Sequence, residues 1–342
     1  MLNWSMLLLS ILLISSTSSS GDLEVLIVIF PQAILYRVSS FKLNADQNPL
    51  VARRKRRLMD KKKLTIAIPA SVISDTPHLR EKTAKIGLIG RAAAIFRVDE
   101  IVVYRDSPKA AQDVDLDFIA TLLRYLETPQ YLRKRLFGIE PRLQFAGVLP
   151  PLRTPHHPVS GKMGGLRAGE YREGVVLSET REGLLVDVGV EQPALLREKQ
   201  YALCERLTLQ VVKTAGRVEV QVADRGDVPD YWGYVVKEER RSLRAAVEGA
   251  KAELAMGTSR KGSKFTEIAD GLGNRWKQAC SILVVFGSPT RGLHEIAADE
   301  DVRLEGLLDF VVNTVPGQGT ETVRTEEALL ATLAVLNIQF SR

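Results

Sequence analysis

Residues 282–292 read ILVVFGSPTRG, an apolar run followed by glycine and small polar residues. A short apolar run that ends in turn residues predicts a buried strand. The pattern recurs at 254–262 (LAMGTSRKG) and at 308–320 (LDFVVNTVPGQGT). Because ligands of open α/β sheets bind outside the carboxyl ends of the strands, three such loops favour one shared pocket. For any single loop, the alternative that it merely ends a strand stays open.

The residues upstream of this region alternate between strand and helix patterns. LTIAIP at 64–69 and IVVY at 101–104 predict buried strands. Helical patterns cover 79–96 and 118–137, and the second is interrupted at Thr128-Pro129. This βαβα alternation predicts an α/β fold with a parallel sheet flanked by helices. A last helix is predicted at 326–338, with Thr325 as its N-cap.

The middle of the chain has a different hydrophobic period. Residues 138–169 are rich in proline and glycine and are typical of a linker, in which His156 and His157 either face RNA or are simply exposed. Beyond the linker the period is two, and 207–212 with 218–222 predict a hairpin with one buried side. The succession of short strands predicts a small all-β barrel of the OB type.

The N-terminal residues 1–58 stand apart from this patterning. The apolar run at 6–14 lacks a basic residue before it, since no Lys or Arg precedes Arg37, and it is too short to span a bilayer. We expect translation to start at Met59 and the protein to be cytoplasmic; the alternative is a targeting or anchoring segment. The predicted segments are a non-native or disordered extension at 1–58, a first α/β part at 59–157, the barrel at 158–230 and a second α/β part at 231–342.

Composition and motifs exclude several classes of protein. The 342 residues carry 47 Lys+Arg and 41 Asp+Glu, a net charge of +6, but the basic run at 53–63 supplies the excess. Two cysteines, Cys204 and Cys280, exclude a disulfide scaffold, and with four histidines they make a Cys/His metal site unexpected. No Walker A sequence occurs, and GLGNRW at 271–276 neither follows a predicted strand nor opens a helix, so common nucleotide-binding folds are disfavoured.

The three C-terminal segments add a family resemblance. Residues 254–262, FGSPTRGLHE at 286–295 and NTVPGQGTETVRTEEAL at 313–329 resemble the SPOUT class of RNA methyltransferases. The resemblance is strongest to the archaeal and eukaryotic group that carries an inserted OB-like barrel, and it extends to 79–103. It covers about 64–342 with the barrel in the expected place.

The resemblance implies a deep trefoil knot, a bent S-adenosylmethionine (SAM) in the knot loops and a homodimer formed through the knotted domains. It implies RNA as the substrate, with ribosomal RNA expected, and it implies neither a membrane nor a metal. The alternative from another class is a non-catalytic RNA- or ribosome-binding factor that retains a pocket for SAM or its product.

The same resemblance, with the loop chemistry, indicates the site residues. Arg291 and Arg260 are the predicted catalytic residues, because a guanidinium holds RNA phosphate or polarises a base carbonyl. His294 and Glu295 are candidate proton acceptors, although the pattern favours helix-surface residues for both. The predicted cofactor-binding residues are Gly257, Phe286, Gly287, Ser288, Gly292, Asn313, Thr314, Val315, Pro316, Gln318, Gly319, Thr320 and Thr325.

Overall fold

The computed structural model describes residues 62–159 and 161–340, together with three short strands nearer the N-terminus. The chain divides into two units, Met1–Arg57 and Leu58–Arg342. In the first unit β1 (Leu12–Thr17) pairs antiparallel with β2 (Leu23–Ile29), which pairs antiparallel with β3 (Gln32–Ala33). The expected start at Met59 lies outside the described residues, so the expectation for 1–58 stays a prediction.

The second unit holds two α/β segments with a β-rich segment between them. The first α/β segment comprises β4 (Lys63–Pro69), α1 (Leu79–Ile95), β5 (Glu100–Tyr104), α2 (Asp113–Glu127) and α3 (Gln130–Leu136). The β-rich segment comprises β6 (Tyr171–Glu179), β7 (Leu184–Asp187), β8 (Ala194–Leu196), β9 (Arg206–Lys213) and β10 (Glu219–Val222). The last segment comprises β11 (Val235–Glu239), α4 (Leu243–Ala250), β12 (Leu254–Lys264), α5 (Phe265–Gln278), β13 (Ser281–Val285), α6 (Leu293–Asp299), α7 (Leu304–Leu307), β14 (Phe310–Asn313) and α8 (Thr325–Gln339). Short 3-10 helices occur at Ala70–Ile73, Pro141–Leu143, Ala146–Val148, Met163–Gly165 and Arg225–Asp227.

Six strands form one parallel sheet in the order β11-β5-β4-β13-β12-β14. In the centre, Leu64 of β4 lies opposite Ile282 of β13. A parallel sheet is covered by helices on both faces, which explains why β4 and β13 are almost continuously apolar. The predicted α/β fold is therefore confirmed.

Helices cover the two faces of this sheet. Because successive side chains of a strand point to opposite faces, Ile66 and Ile68 pack on one side and Ala67 packs on the other. Helices α1, α2, α5 and α8 contribute to the core on the isoleucine side. Helices α4, α6 and α7 contribute to the core on the alanine side. The result is a three-layer arrangement with the sheet in the middle.

The predicted barrel is also confirmed. Five strands close in the order β10-β8-β7-β6-β9, and β9 pairs antiparallel with β10 to complete the ring. Leu209 and Val211 of β9 and Val220 of β10 are buried in the barrel core, as the alternating pattern predicts. The hairpin therefore has one buried side.

A buried cluster of charged groups joins the barrel to the end of α2. Arg206 of β9 donates from Nη1 to Glu127 Oε2 (2.7 Å) and from Nε to Glu173 Oε2 (2.6 Å). Trp232 donates from Nε1 to the other oxygen of Glu173 (2.5 Å). Burial disfavours the charged form of Glu127, but Arg206 and a hydrogen bond from His156 outweigh it and hold the pKa of Glu127 well below its usual range.

The two linker histidines belong to this junction, so the expectation that they face RNA or solvent is wrong. His156 is buried and His157 half-buried, and the Nε2 atoms of both lie against the backbone oxygen of Glu127, at 3.0 and 2.7 Å. Burial, and to a lesser extent the adjacent His156, lower the pKa of His157 to about 4 against the opposing effect of Glu127. Proline-rich composition suggested exposure, but the linker is folded onto α2.

The ion-pair cluster yields a stability prediction. Glu127→Gln is expected to lower the free energy of unfolding by about 3 kcal/mol, because Arg206 then loses a charged partner in a largely buried site. Urea denaturation followed by tryptophan fluorescence measures the loss. Glu182→Gln is the matched control, since Glu182 pairs with Arg217 at the surface. This substitution should lower the free energy of unfolding by less than about 1 kcal/mol. Equal losses in the two variants would contradict the assignment.

His157 yields a pH prediction. Its pKa in the folded protein lies below the ordinary value near 6.5, so below pH 6.5 the unfolded chain binds a proton that the folded chain does not. Stability should therefore fall as pH decreases from 6.5 towards 4, by about 1.4 kcal/mol for each pH unit at most. Glutamine at position 157 does not titrate, and its amide can also donate to the Glu127 carbonyl. In His157→Gln the free energies of unfolding from urea titrations at pH 6.5 and 4.5 should therefore differ less than they do in the wild type. An identical pH dependence would contradict the prediction.

Candidate functional site

A cavity of about 250 Å³ opens beyond the carboxyl ends of β13 and β14 and beside the second half of β12. Its lining comes from three segments, 258–261, 286–292 and 312–315, from the start of α6, and from the first turn of α8 with the residues that lead into it. Because the strands are parallel and neighbours in the sheet, their ends lie at the same edge. The three loops singled out in the sequence therefore meet around one cavity.

Most of the predicted site residues line this cavity. They are Arg260, Phe286, Gly287, Ser288, Arg291, Gly292, Asn313, Thr314, Val315, Gln318 and Thr325. Among the described residues, four predicted ones fall outside the lining, namely Gly257, Pro316, Gly319 and Thr320. The lining also includes residues that the prediction omitted, namely Thr258, Ser259, Lys261, Pro289, Thr290, Val312, Glu321, Thr322, Val323 and Ala328. Both candidate proton acceptors, His294 and Glu295, belong to the lining.

The first of the three predicted loops is a strand in the structure, so that expectation is wrong. β12 continues to Lys264 and carries a bulge between Thr258 and Ser263, both of which pair with Val312. Gly257 lies inside the sheet, where an added Cβ would come within 2.6–2.7 Å of leucine methyl groups from Leu308 and Leu293. Its lack of a side chain thus permits close packing under the cavity.

The bulge brings Arg260 to the rim of the cavity. Its Nη1 donates to the backbone oxygen of Glu321 (2.8 Å), and its own backbone oxygen accepts from Asn313 Nδ2 (3.1 Å). The side-chain oxygen of Asn313 accepts from the backbone N–H of Val315 (3.0 Å). Arg260 and Asn313 therefore tie the β12 bulge to the β14 loop and to the segment before α8.

The loop after β13 is held from three sides. The buried Tyr104 hydroxyl donates to the Phe286 carbonyl (2.7 Å), and the Thr325 hydroxyl donates to the Gly287 carbonyl (2.9 Å). The loop closes on itself, since the Ser288 N–H donates to the Arg291 carbonyl (2.9 Å). An added Cβ on Gly287 would lie only 3.1 Å from that carbonyl oxygen. The wall at Gly287 is therefore bare backbone.

Thr325 differs from its predicted role. It is the first residue of α8, not the N-cap, which is Arg324. The Arg324 N–H donates to Glu327 Oε2 (2.9 Å), while the Thr325 hydroxyl is engaged by Gly287. The first residue of α8 therefore bonds the loop after β13 and not its own helix, and local capping rules do not predict this contact.

The charged residues of the lining differ in how firmly they are held. Arg291 is half-buried and donates to Asp106 and to Asp299 (3.0 and 2.5 Å). Lys261 is exposed and lies 3.8 Å from Glu295 Oε1, a distance that leaves its ammonium group accessible to another anion. Chemically, the cavity combines apolar surface, backbone groups and a cationic rim.

Within 62–159 and 161–340, no three His, Cys, Asp or Glu side chains come together as a metal site would require. The helices described here include none that combines the length and apolarity needed to cross a bilayer.

Comparisons with known proteins agree with this architecture. The model of a family described as "Putative RNA methyltransferase" matches residues 63–336. An uncharacterized protein of Halobacterium salinarum is 35% identical over 290 residues, covering 80% of this chain and 98% of its own. The human 28S rRNA (uridine-N(3))-methyltransferase is 36% identical over 309 residues, covering 80% and 77% respectively. The enzyme of that name from Drosophila melanogaster is 31% identical over 307 residues, covering 80% and 61%. The resemblance seen in the sequence is thus confirmed, and the chain belongs to this family of RNA methyltransferases.

Proposed function

We propose that this protein transfers a methyl group from SAM to N3 of a uridine in large-subunit ribosomal RNA. The observation that carries the proposal is the cavity at the ends of β13 and β14 and at the bulge of β12, lined by the segments on which the family resemblance rests. The relatives named as 28S rRNA (uridine-N(3))-methyltransferases support the substrate and the atom. The cytoplasmic location expected from the sequence stays a prediction.

The lining fits SAM chemically. Val315 and Ala328 are half-buried and offer apolar contact for an adenine ring, and the bare backbone at Gly287 lets a ligand approach closely. The Thr322 hydroxyl and the side-chain oxygen of Gln318 are suitable hydrogen-bond partners for ribose and amino-acid groups; the Gln318 amide nitrogen itself donates to the backbone oxygens of Thr320 and Glu321. When bound, SAM supplies a sulfonium-activated methyl group, so the protein's own task is orientation and the exclusion of water.

The remaining chemistry is the removal of the N3 proton of the uridine. His294 and Glu295 are the titratable acceptors in the lining that suit this step. Glu295 Oε2 accepts from the Gly292 N–H (3.1 Å), which fixes the carboxylate beside the loop after β13. Arg260 and Lys261 on the rim suit the RNA phosphate or the carbonyl oxygens of the uracil ring, where negative charge develops.

The trefoil knot and the homodimer belong to the same proposal. The contact of Thr325 with the loop after β13 supports the knot, because the chain that follows β14 returns to that loop. Exposed apolar residues support a dimer interface on the packed pair α1 and α8: Leu88 and Ile95 lie seven positions apart on α1, and Leu330 and Ile338 eight apart on α8.

The activity is tested with the purified full chain, tritiated SAM and a large-subunit rRNA transcript. We expect label in the RNA and, on nucleoside mass spectrometry, 3-methyluridine as the product. Methylation of another atom would overturn the assignment to N3. SAM binding without transfer would instead indicate the RNA-binding factor that retains a pocket.

The cofactor site is tested by filling the cavity. Val315→Trp is expected to weaken SAM binding, measured by isothermal titration calorimetry, by about tenfold or more, since the indole occupies cavity space. Val114→Trp is the matched control, because Val114 lies exposed in the first turn of α2 and should change affinity by less than about twofold. Equal affinities of the two variants would place the cofactor elsewhere.

A further inference from the structure

A buried carboxylate, Asp106, lies directly after β5 and behind the loop that follows β13. Its side chain is fully buried. Oδ1 accepts from the Ser71 N–H (3.1 Å) and from Gln112 Nε2 (2.9 Å). Oδ2 accepts from the Ser71 hydroxyl (2.6 Å) and from Arg291 Nη2 (3.0 Å). A buried carboxylate is costly unless it is fully hydrogen-bonded, and these four donors satisfy it.

The partner that matters for the site is Arg291. This residue belongs to the cavity wall at 286–292, and its Nη2 also donates to the backbone oxygen of Asp106. Its Nη1 donates to Asp299 (2.5 Å). Both terminal nitrogens are therefore engaged by protein oxygens. The backbone N–H and carbonyl of Arg291 in turn bond to Ser288, which closes the loop.

We propose that Asp106 is a positioning residue for methyl transfer: acting through Arg291, it holds the loop 286–292 in the shape that lines the cofactor cavity. The inference rests on the proposed function, and it gives Arg291 a task different from contact with RNA. An arginine that touches only the substrate affects turnover and RNA affinity. An arginine that holds the cavity wall affects SAM affinity, and so does its buried partner, because a small displacement of a site is costly.

Asp106→Asn tests the proposal selectively. In this variant Oδ1 still accepts from Ser71 and Gln112, and an amide nitrogen stands in the place of Oδ2. The Ser71 hydroxyl can rotate and accept a hydrogen bond from this nitrogen. Arg291 Nη2 cannot, because it is itself a donor, so its hydrogen bond to the side chain is lost. The variant therefore removes the side-chain contact between Asp106 and Arg291, and it leaves the other contacts, including the bond from Arg291 to the backbone oxygen of residue 106. Asp299→Asn is the matched control, since Asp299 bonds the other terminal nitrogen of Arg291 from a half-exposed position.

The first readout needs no cofactor. Hydrogen exchange of the backbone amides in 286–292 should be about tenfold faster or more in Asp106→Asn than in the wild type, and within about threefold of it in Asp299→Asn. If the amides in 286–292 exchange at the same rate in Asp106→Asn as in the wild type, the proposal is overturned, whatever the cofactor proves to be.

The second readout is SAM binding and kinetics. Asp106→Asn and Arg291→Gln should each raise the KM for SAM about tenfold with kcat changed less than about threefold, and the double variant should be no worse than either single one, because the two residues act as a unit. If Asp106→Asn does not fold, Arg291→Gln, whose side chain is partly exposed, carries the same comparison.

The possible failures are distinguishable. A lower kcat with an unchanged KM for SAM in Arg291→Gln would overturn the positioning role and assign Arg291 to the substrate. Absence of SAM binding by the wild type would remove the proposed function, while the hydrogen-exchange comparison would still decide whether Asp106 holds the loop.

Discussion

The parallel pairing of β13 with β4 on one side and β12 on the other is the constraint on which the site depends. Val285 lies opposite Ala67 and Gly257 in these two ladders, so β13 ends level with the point at which the bulge of β12 begins. With β14 paired to β12, the ends of β13 and β14 and the β12 bulge meet at one edge. A shift of one residue would turn each apolar side chain to the other face, so both buried faces hold the register.

The wall of the cavity is made of backbone, and backbone has to be held by distant side chains. Tyr104 at the end of β5, Thr325 at the start of the last helix and Arg291 within the loop each bond the segment after β13. None of these contacts supplies reactive chemistry. Their combined effect is preorganisation, which matters in a methyl transfer because the donor is already activated and the protein contributes mainly geometry.

The barrel is joined to the α/β part by charge as well as by apolar packing. Arg206 bridges Glu127 of α2 and Glu173 of β6, and the two linker histidines cover the end of α2. Such a buried cluster tolerates little change in the angle between the two parts, because every donor needs its partner. The junction therefore fixes where the barrel stands relative to the edge of the sheet that carries the cavity.

The sequence alone determined the kinds of element and their order, because hydrophobic period is a local property: continuous apolar runs for β4 and β13, alternation for β9, and helical repeats between them. It also indicated the cavity loops, since glycine and small polar residues after three strands signal close approach by a ligand. Only the tertiary structure decided that 257–262 continues a strand, that His156 is buried and that Arg291 bonds Asp106. Arg291 and Asp106 lie 185 positions apart in the sequence, and a local pattern carries no information about which distant group will contact a side chain after folding.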